Sequence, residues 1–347
     1  MKTTHLYQEI HQQPDVLSRL LQRERPSAQA LANAIRQRDI SHIVIAARGT
    51  SDNAGRYAQY VLGAHNGLQI ALSTPSLFTI YQQPVQFKNA LVLGISQSGK
   101  SPDIVAVLAE ARRQKQLTAV ITNNPNSDLA QVGDFVIDLG AGEEKSVAAT
   151  KTYTAELMTV ALLSALLSQD AEHLAQLEAV PAAAAQMLTL QDAIDQMAPR
   201  YRYMTRSVVI GRGFNYATAY ELALKVKELT YTIAEPYSSA DFLHGPLALI
   251  ESGFPVIVLA PGGKMLPEMR QLADSLNERE AEVIAFSDDE TILEKADISI
   301  QLPITAPEWL SPITTIIPGQ LFALTLAHLR RYNVDRPRAI QKVTETR

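Results

Sequence analysis

The sequence predicts an α/β protein built as two doubly wound parallel-sheet lobes related by an internal repeat. Three observations predict it. First, short β-branched apolar runs alternate with helix-like segments, at 43–46, 91–95, 119–121 and 135–137, and again at 208–210, 256–259, 283–286 and 298–300. Runs that are apolar throughout, rather than alternating, mark parallel strands buried on both faces. Second, the two sets follow the same order. The run at 43–46 leads into Arg48-Gly49-Thr50-Ser51, and the run at 208–210 leads into Gly211-Arg212-Gly213-Phe214-Asn215. Third, the repeat is domain-sized and occurs only twice, which suits two lobes and not a solenoid.

The elements follow in chain order. Residues 1–36 read as an N-terminal helical segment that packs across a lobe or a partner subunit. Residues 37–168 form the first lobe. Residues 169–199 are an Ala/Gln/Leu-rich helical connector containing Pro181. Residues 200–333 form the second lobe, and 334–347 a charged tail. A chain of 347 residues holds two domains of roughly 150 residues each.

Composition narrows the function classes. Hydrophobic residues are 46% and charged residues 19% of the chain, enough for a sizeable core. The net charge of −5 argues against a nucleic-acid or anionic-membrane partner, which would favour a basic surface. A small anion can still be held by local dipoles. The absence of cysteine excludes disulfides, thiolate metal sites and cysteine nucleophiles. The start, Met1-Lys2-Thr3-Thr4-His5, has no apolar signal core. The longest apolar stretch, 157–167, is too short to span a bilayer. A cytoplasmic location is expected.

Ser96-Gln97-Ser98-Gly99-Lys100-Ser101-Pro102-Asp103 carries the strongest local signal. It follows a buried strand and opens a helix running to about residue 114. Pro102 suits the first helical turn, where its missing N–H costs little. Free N–H groups and the positive end of the helix dipole attract phosphate there. Three serine hydroxyls add donors, and Gly99 permits close backbone approach. A plain serine cap is the alternative, but the donor density at a strand's carboxyl end favours a binding loop. Arg48-Gly49-Thr50-Ser51-Asp52-Asn53 has the same context and could supply a second wall.

Other polar segments are less decisive on composition. In the 142–151 loop, Glu143, Glu144, Lys145 and Lys151 read as solvated. Glu221, Lys225 and Glu228 share one helix face at i, i+4 and i+7. That pattern fits an exposed salt-bridge ladder, or a carboxylate base beside an ammonium. His244 precedes Gly245-Pro246 and so lies on a loop, where a histidine can serve proton transfer but is more often simply exposed. No other histidine stands at a metal-ligand spacing from it. The tail Lys342–Arg347 reads as frayed.

Together these fragments resemble one family over nearly the whole chain: the isomerase half of glutamine–fructose-6-phosphate aminotransferases and their stand-alone SIS (sugar isomerase) relatives. The resemblance runs through Glu9-Ile10, Gln13-Pro14, Arg48-Gly49-Thr50-Ser51, Ser96-Gln97-Ser98-Gly99, Val147-Ala148-Ala149-Thr150-Lys151, Leu224-Lys225-Val226-Lys227-Glu228, His244-Gly245-Pro246-Leu247-Ala248-Leu249 and Asp335-Arg336-Pro337-Arg338…Lys342. It implies that Ser96, Gln97, Ser98 and Ser101 hold a sugar phosphate with Ser51 nearby, and that Thr50 and Val147 line the sugar. It implies that Glu228 moves a proton between C1 and C2, that Lys225 acts beside it, and that His244 assists ring opening from a neighbouring subunit. A homodimer with shared sites follows. Lys342 matches the imine-forming lysine of the synthase, which implies a tail ordered over the site.

The departures point to a reaction. Lys100 stands where the synthase has an acidic residue, Ala149 where it has serine, and Asp241 where it has glutamate. The 98–103, 141–145 and 238–246 segments are more similar to the SIS-type glucosamine-6-phosphate deaminases. These 347 residues contain no glutamine-hydrolysing half. The resemblance therefore implies a glutamine-independent aminosugar-6-phosphate deaminase/isomerase that needs no metal or redox cofactor. Alternatives are a fructosamine-6-phosphate deglycase, a galactosamine-6-phosphate deaminase/isomerase, and a non-catalytic sugar-phosphate sensor. A sensor needs only the phosphate cradle, not Glu228, His244 and Lys342.

Overall fold

The computed structural model describes residues 1–303 and 306–342. They divide into two compact units. The first comprises Asp15–Glu144, Lys151–Glu178 and the tail residues Gln341 and Lys342; the second comprises Met1–Pro14, Lys145–Thr150 and Ala179–Ile340.

The first unit holds β1 (His42–Ala46), β2 (Gln69–Leu72), β3 (Ala90–Ile95), β4 (Leu117–Thr122) and β5 (Phe135–Asp138). They form one parallel sheet in the order β2-β1-β3-β4-β5. Every residue of β3 and β4 is buried, because helices cover both faces of a parallel sheet. Leu91, Leu93 and Ile95 are each 0% exposed, and burying side chains of this size stabilises by roughly 1.5–3 kcal/mol each. The order in which strands are added reverses between β1 and β3. Their carboxyl ends lie side by side through the pairing Ala46↔Gly94. In open α/β sheets that switch point is where ligands bind.

The second unit repeats the plan. β6 (Arg206–Gly211), β7 (Ile233–Ser238), β8 (Pro255–Ala260), β9 (Glu282–Ser287) and β10 (Ile298–Gln301) form a parallel sheet in the order β10-β9-β8-β6-β7. Position by position this is the order of the first sheet. The α/β class and the doubled sheet predicted from the apolar runs are therefore present, and all eight runs fall inside strands.

Two strands escaped the sequence reading, β2 and β7. Both lie at a sheet edge. β2 has only four residues, none of them buried. β7 carries Glu235 and Pro236, and proline is tolerated at an edge because one side of the strand donates to no neighbour. Neither offers an apolar run to detect.

The N-terminal segment forms helices His5–His11 and Gln13–Gln37, and the connector forms helices Ala171–Leu188 and Gln191–Met197. The helix Lys151–Ser168 is buried from Lys151 to Leu166. The helix Ser311–Leu329, buried from Ser311 to Ala327, is long and apolar enough to cross a membrane, but 89% of it lies inside the protein. Pro318, Gly319 and Gln320 break its apolar run, so 157–167 reads as the longest stretch in the sequence although the apolar helix is elsewhere.

Candidate active site

In the first unit, the loop after β3 is a cradle of backbone and hydroxyl groups. Ser101 caps the helix Pro102–Arg113 in an extended conformation, with Pro102 in its first turn. The Ser101 hydroxyl makes no capping bond, so that oxygen is not committed to the helix. Ser96 is buried, and its Oγ accepts from Gly99 N at 3.1 Å. Ser98 Oγ accepts from Lys100 N at 3.3 Å. Gly99 is required twice over. Its φ is +64°, and an added Cβ would stand 2.0 Å from Ser127 Oγ. The turn is thus closed by its own serine hydroxyls, at the carboxyl edge of the sheet where open α/β sheets take ligands.

The loop after β1 is fastened to this cradle by Arg48. Its Nε and one terminal nitrogen each donate to Asp103 Oδ2 at 2.9 Å. Asp103 is fully buried, so the guanidinium supplies its countercharge. Thr50 opens the helix Thr50–Asn66 beside the cradle. Ser51 is buried, and its hydroxyl donates to Glu156 Oε1 at 2.8 Å. The Arg48–Asp103 clamp was not singled out from sequence, although both residues stand in the two motifs that were.

The loop after β5 also differs from its reading. Glu144 and Lys151 are not solvated but 4% and 3% exposed. Glu144 accepts from Thr152 N at 3.2 Å, Thr152 Oγ1 at 2.8 Å and Lys342 Nζ at 2.7 Å. Lys151 Nζ donates to the Glu143 carbonyl at 2.8 Å. Composition cannot reveal this, because the partners lie at the start of the next helix and in the tail. Glu143 and Lys145 are exposed, as read. In the tail, Lys342 is thus bound to Glu144, and Val343–Arg347 lie outside the described residues.

The equivalent edge of the second sheet is differently equipped. After β8, Lys264 N and Met265 N donate to the Glu308 carboxylate at 2.9 and 3.3 Å. Arg212 pairs with Glu268 at 3.2 Å, an echo of the Arg48–Asp103 clamp. Here the protein's own carboxylate takes up the loop's N–H groups.

The second unit instead carries the charged helix Tyr216–Thr230. Glu221, Lys225 and Glu228 do not form a surface ladder. Lys225 is 1% exposed, with its Nζ 3.3 Å from Glu221 and 2.6 Å from Glu228. Burial alone would lower its pKa, but Glu221 and Glu228 more than offset that and hold it above the ordinary lysine range. Glu228 keeps 24% of its side chain exposed. It is a carboxylate fixed by an ammonium on one side and open on the other.

Val147 lies in a segment of the second unit fixed by buried carboxylates and the chain's ends. Glu9 accepts from Lys145 N at 2.5 Å and Ser146 N at 3.2 Å. Val147 N donates to the Asp335 carbonyl at 3.1 Å, while the Asp335 carboxylate accepts from His5 N and Leu6 N. His244 ends the short helix Ser239–Leu243 and is exposed. Leu243 and Leu249 beside it are 52% and 51% exposed.

The predicted residues therefore fall into two sets. Thr50, Ser51, Ser96, Gln97, Ser98, Ser101 and Lys342 belong to the first unit, and Val147, Lys225, Glu228 and His244 to the second. Within the second, Lys225 and Glu228 are in direct contact.

Comparison with known proteins agrees with this architecture. The SIS domain profile matches residues 36–166 and 203–330. The chain is 33% identical over 340 residues to a glutamine–fructose-6-phosphate aminotransferase of Aquifex aeolicus, covering 97% of this chain and 57% of that protein. A namesake from Pyrococcus horikoshii is 33% identical over 342 residues, with the same coverage. The chain thus spans a little over half the length of these relatives. Among solved structures, the C-terminal domain of glucosamine-fructose-6-phosphate aminotransferase from Francisella tularensis superposes with a TM-score of 0.87 at 27% identity, covering 96% of this chain and 98% of that one. The glucosamine-6-phosphate deaminase of Thermotoga maritima shares the fold, with a TM-score of 0.81 at 18% identity over 99% of this chain and 100% of that one. With both repeats matched, the chain belongs to the SIS domain family.

Proposed function

We propose that this protein is a phosphosugar isomerase acting as an aminosugar-6-phosphate deaminase, converting glucosamine 6-phosphate and water to fructose 6-phosphate and ammonia. The observation that carries this reading is the Glu228 carboxylate, held at 2.6 Å by buried Lys225 yet partly open. A fixed carboxylate with one accessible face is what proton shuttling between adjacent carbons requires. The serine cradle, with Ser96, Gln97, Ser98 and Ser101, supports a phosphate-bearing substrate.

In this reading the sugar phosphate docks on the cradle, and Thr50 and Val147 line its carbon chain. His244, supplied by the partner subunit of a homodimer, assists ring opening to the aldehyde. Glu228 removes the C2 proton, made acidic by the aldehyde, and returns it to C1. The product is a C2 imine, which water converts to the ketose with release of ammonia. The Lys225 ammonium holds the carboxylate in place between turnovers. The exposed Leu243 and Leu249 beside His244 support a subunit contact there.

An ammonia-release assay on a panel of glucosamine, galactosamine and fructosamine 6-phosphates, without glutamine, tests the reading. Release from glucosamine 6-phosphate above the others is expected. Preferred turnover of a fructosamine or galactosamine phosphate would reassign the substrate. No release from any of them would overturn the deaminase.

A further inference from the structure

We infer that Glu144 is a positioning residue that docks Lys342 at the carboxyl edge of the first sheet, beside the serine cradle. The inference rests on the functional reading above, which places Lys342 at the sugar, and adds what brings it there.

The Glu144 side chain is 0% exposed. A carboxylate so buried requires donors and a countercharge. Thr152 provides two donors, from N and Oγ1, and lies in the first turn of the helix Lys151–Ser168, where the dipole favours negative charge. Lys342 Nζ, at 2.7 Å, brings a full positive charge. The lysine side chain remains 24% exposed, so it is held without being sealed off.

The loop that carries Glu144 is wired to the cradle through Asn123. Asn123 N donates to the Gln97 carbonyl at 3.1 Å. The Asn123 side chain accepts from Ala141 N at 2.9 Å and donates to the Gly142 carbonyl at 2.8 Å. The neighbouring Glu143 carbonyl is secured by Lys151 Nζ. The loops after β3, β4 and β5 are thus joined by hydrogen bonds. An ammonium gripped by Glu144 is fixed relative to Gln97, not merely attached to the surface.

Covalent labelling tests this without substrate. The folded chain is exposed briefly to acetic anhydride, and acetylation of Lys342 is compared by mass spectrometry with that of exposed Lys100. Glu144→Gln removes the charge that grips the ammonium, and Lys342 labelling should rise about tenfold relative to Lys100, as expected for loss of a charged hydrogen bond. Glu144→Asp keeps the charge but withdraws it by one methylene. It should give an intermediate rise, and it serves if the glutamine variant does not fold. Unchanged Lys342 labelling in a folded variant would overturn the inference. A second readout is turnover: Glu144→Gln and Lys342→Met should lower kcat with little change in KM, and the double variant should be no worse than Lys342→Met. Additive losses would show that Glu144 acts independently of Lys342. Should the wild type release no ammonia from any panel sugar, the functional reading fails, while the labelling still decides whether Glu144 holds Lys342.

Discussion

Lys225 Nζ lies 2.6 Å from Glu228 Oε2 and 3.3 Å from Glu221 Oε1, with the ammonium almost completely buried. Two carboxylates and one ammonium share a helix face that propensity alone would leave in water. Removing the central charge takes the ammonium away from both carboxylates.

Lys225→Met should therefore destabilise the fold by roughly 3–5 kcal/mol, the cost of breaking a buried pair from one side. The pH dependence has a definite sign. The folded pKa of Lys225 is raised above its ordinary 10.5, so the pair's contribution is complete below that pH and is lost only as pH rises through the higher folded value. Thermal melts of wild type and variant should differ by a constant gap from about pH 7 to about pH 10. A gap that closes within this range would mean that the ammonium is not held as described.

Gly99→Ala should damage the cradle itself. A side chain at φ +64° costs about 1–2 kcal/mol, and the new Cβ would collide with Ser127. A lowered Tm and loss of the stabilisation given by inorganic phosphate are expected. Unchanged melting, with phosphate stabilisation intact, would show that this turn neither needs glycine nor binds the anion.

Ser98→Ala removes one donor, together with the acceptor for Lys100 N, and keeps Gly99 at the turn. One hydrogen bond to a charged group contributes about 1.5–3 kcal/mol. KM for the sugar phosphate should rise roughly tenfold or more, with kcat little changed. A collapsed kcat at constant KM would reassign Ser98 from phosphate holding to chemistry.

Shared sites make a prediction about subunit mixing. His244→Ala and Glu228→Gln should each be inactive alone. In a random equal mixture about half the dimers are mixed, and each has one intact site, so about a quarter of wild-type activity should return. No recovery despite verified subunit exchange would place both residues in one site from one chain.

The sequence made the sheets legible because parallel strands buried on both faces are apolar at every position, as 91–95 and 119–121 are. Edge strands β2 and β7 lack that signature. The serine cradle was visible for a similar reason, since its donors are contiguous and sit between a strand and a helix. What stayed hidden depends on distant partners. Glu144 is buried because Thr152 and Lys342 meet it, and Arg48 finds Asp103 across 55 residues. Glu221, Lys225 and Glu228 had the right spacing, but spacing does not report whether a helix face is buried.

The central claim is that Glu228 moves the proton at C2, and solvent hydrogen exchange tests it most directly. Glucosamine 6-phosphate is incubated with the protein in deuterium oxide, and deuterium entering C2 of the remaining substrate and C1 of the fructose 6-phosphate formed is followed by NMR. The wild type should exchange the C2 hydrogen during turnover. Glu228→Gln, nearly isosteric and unable to accept the proton, should slow the exchange by about 10²–10⁴-fold while sugar-phosphate binding persists. Exchange at the wild-type rate in Glu228→Gln would contradict the account and point to another base.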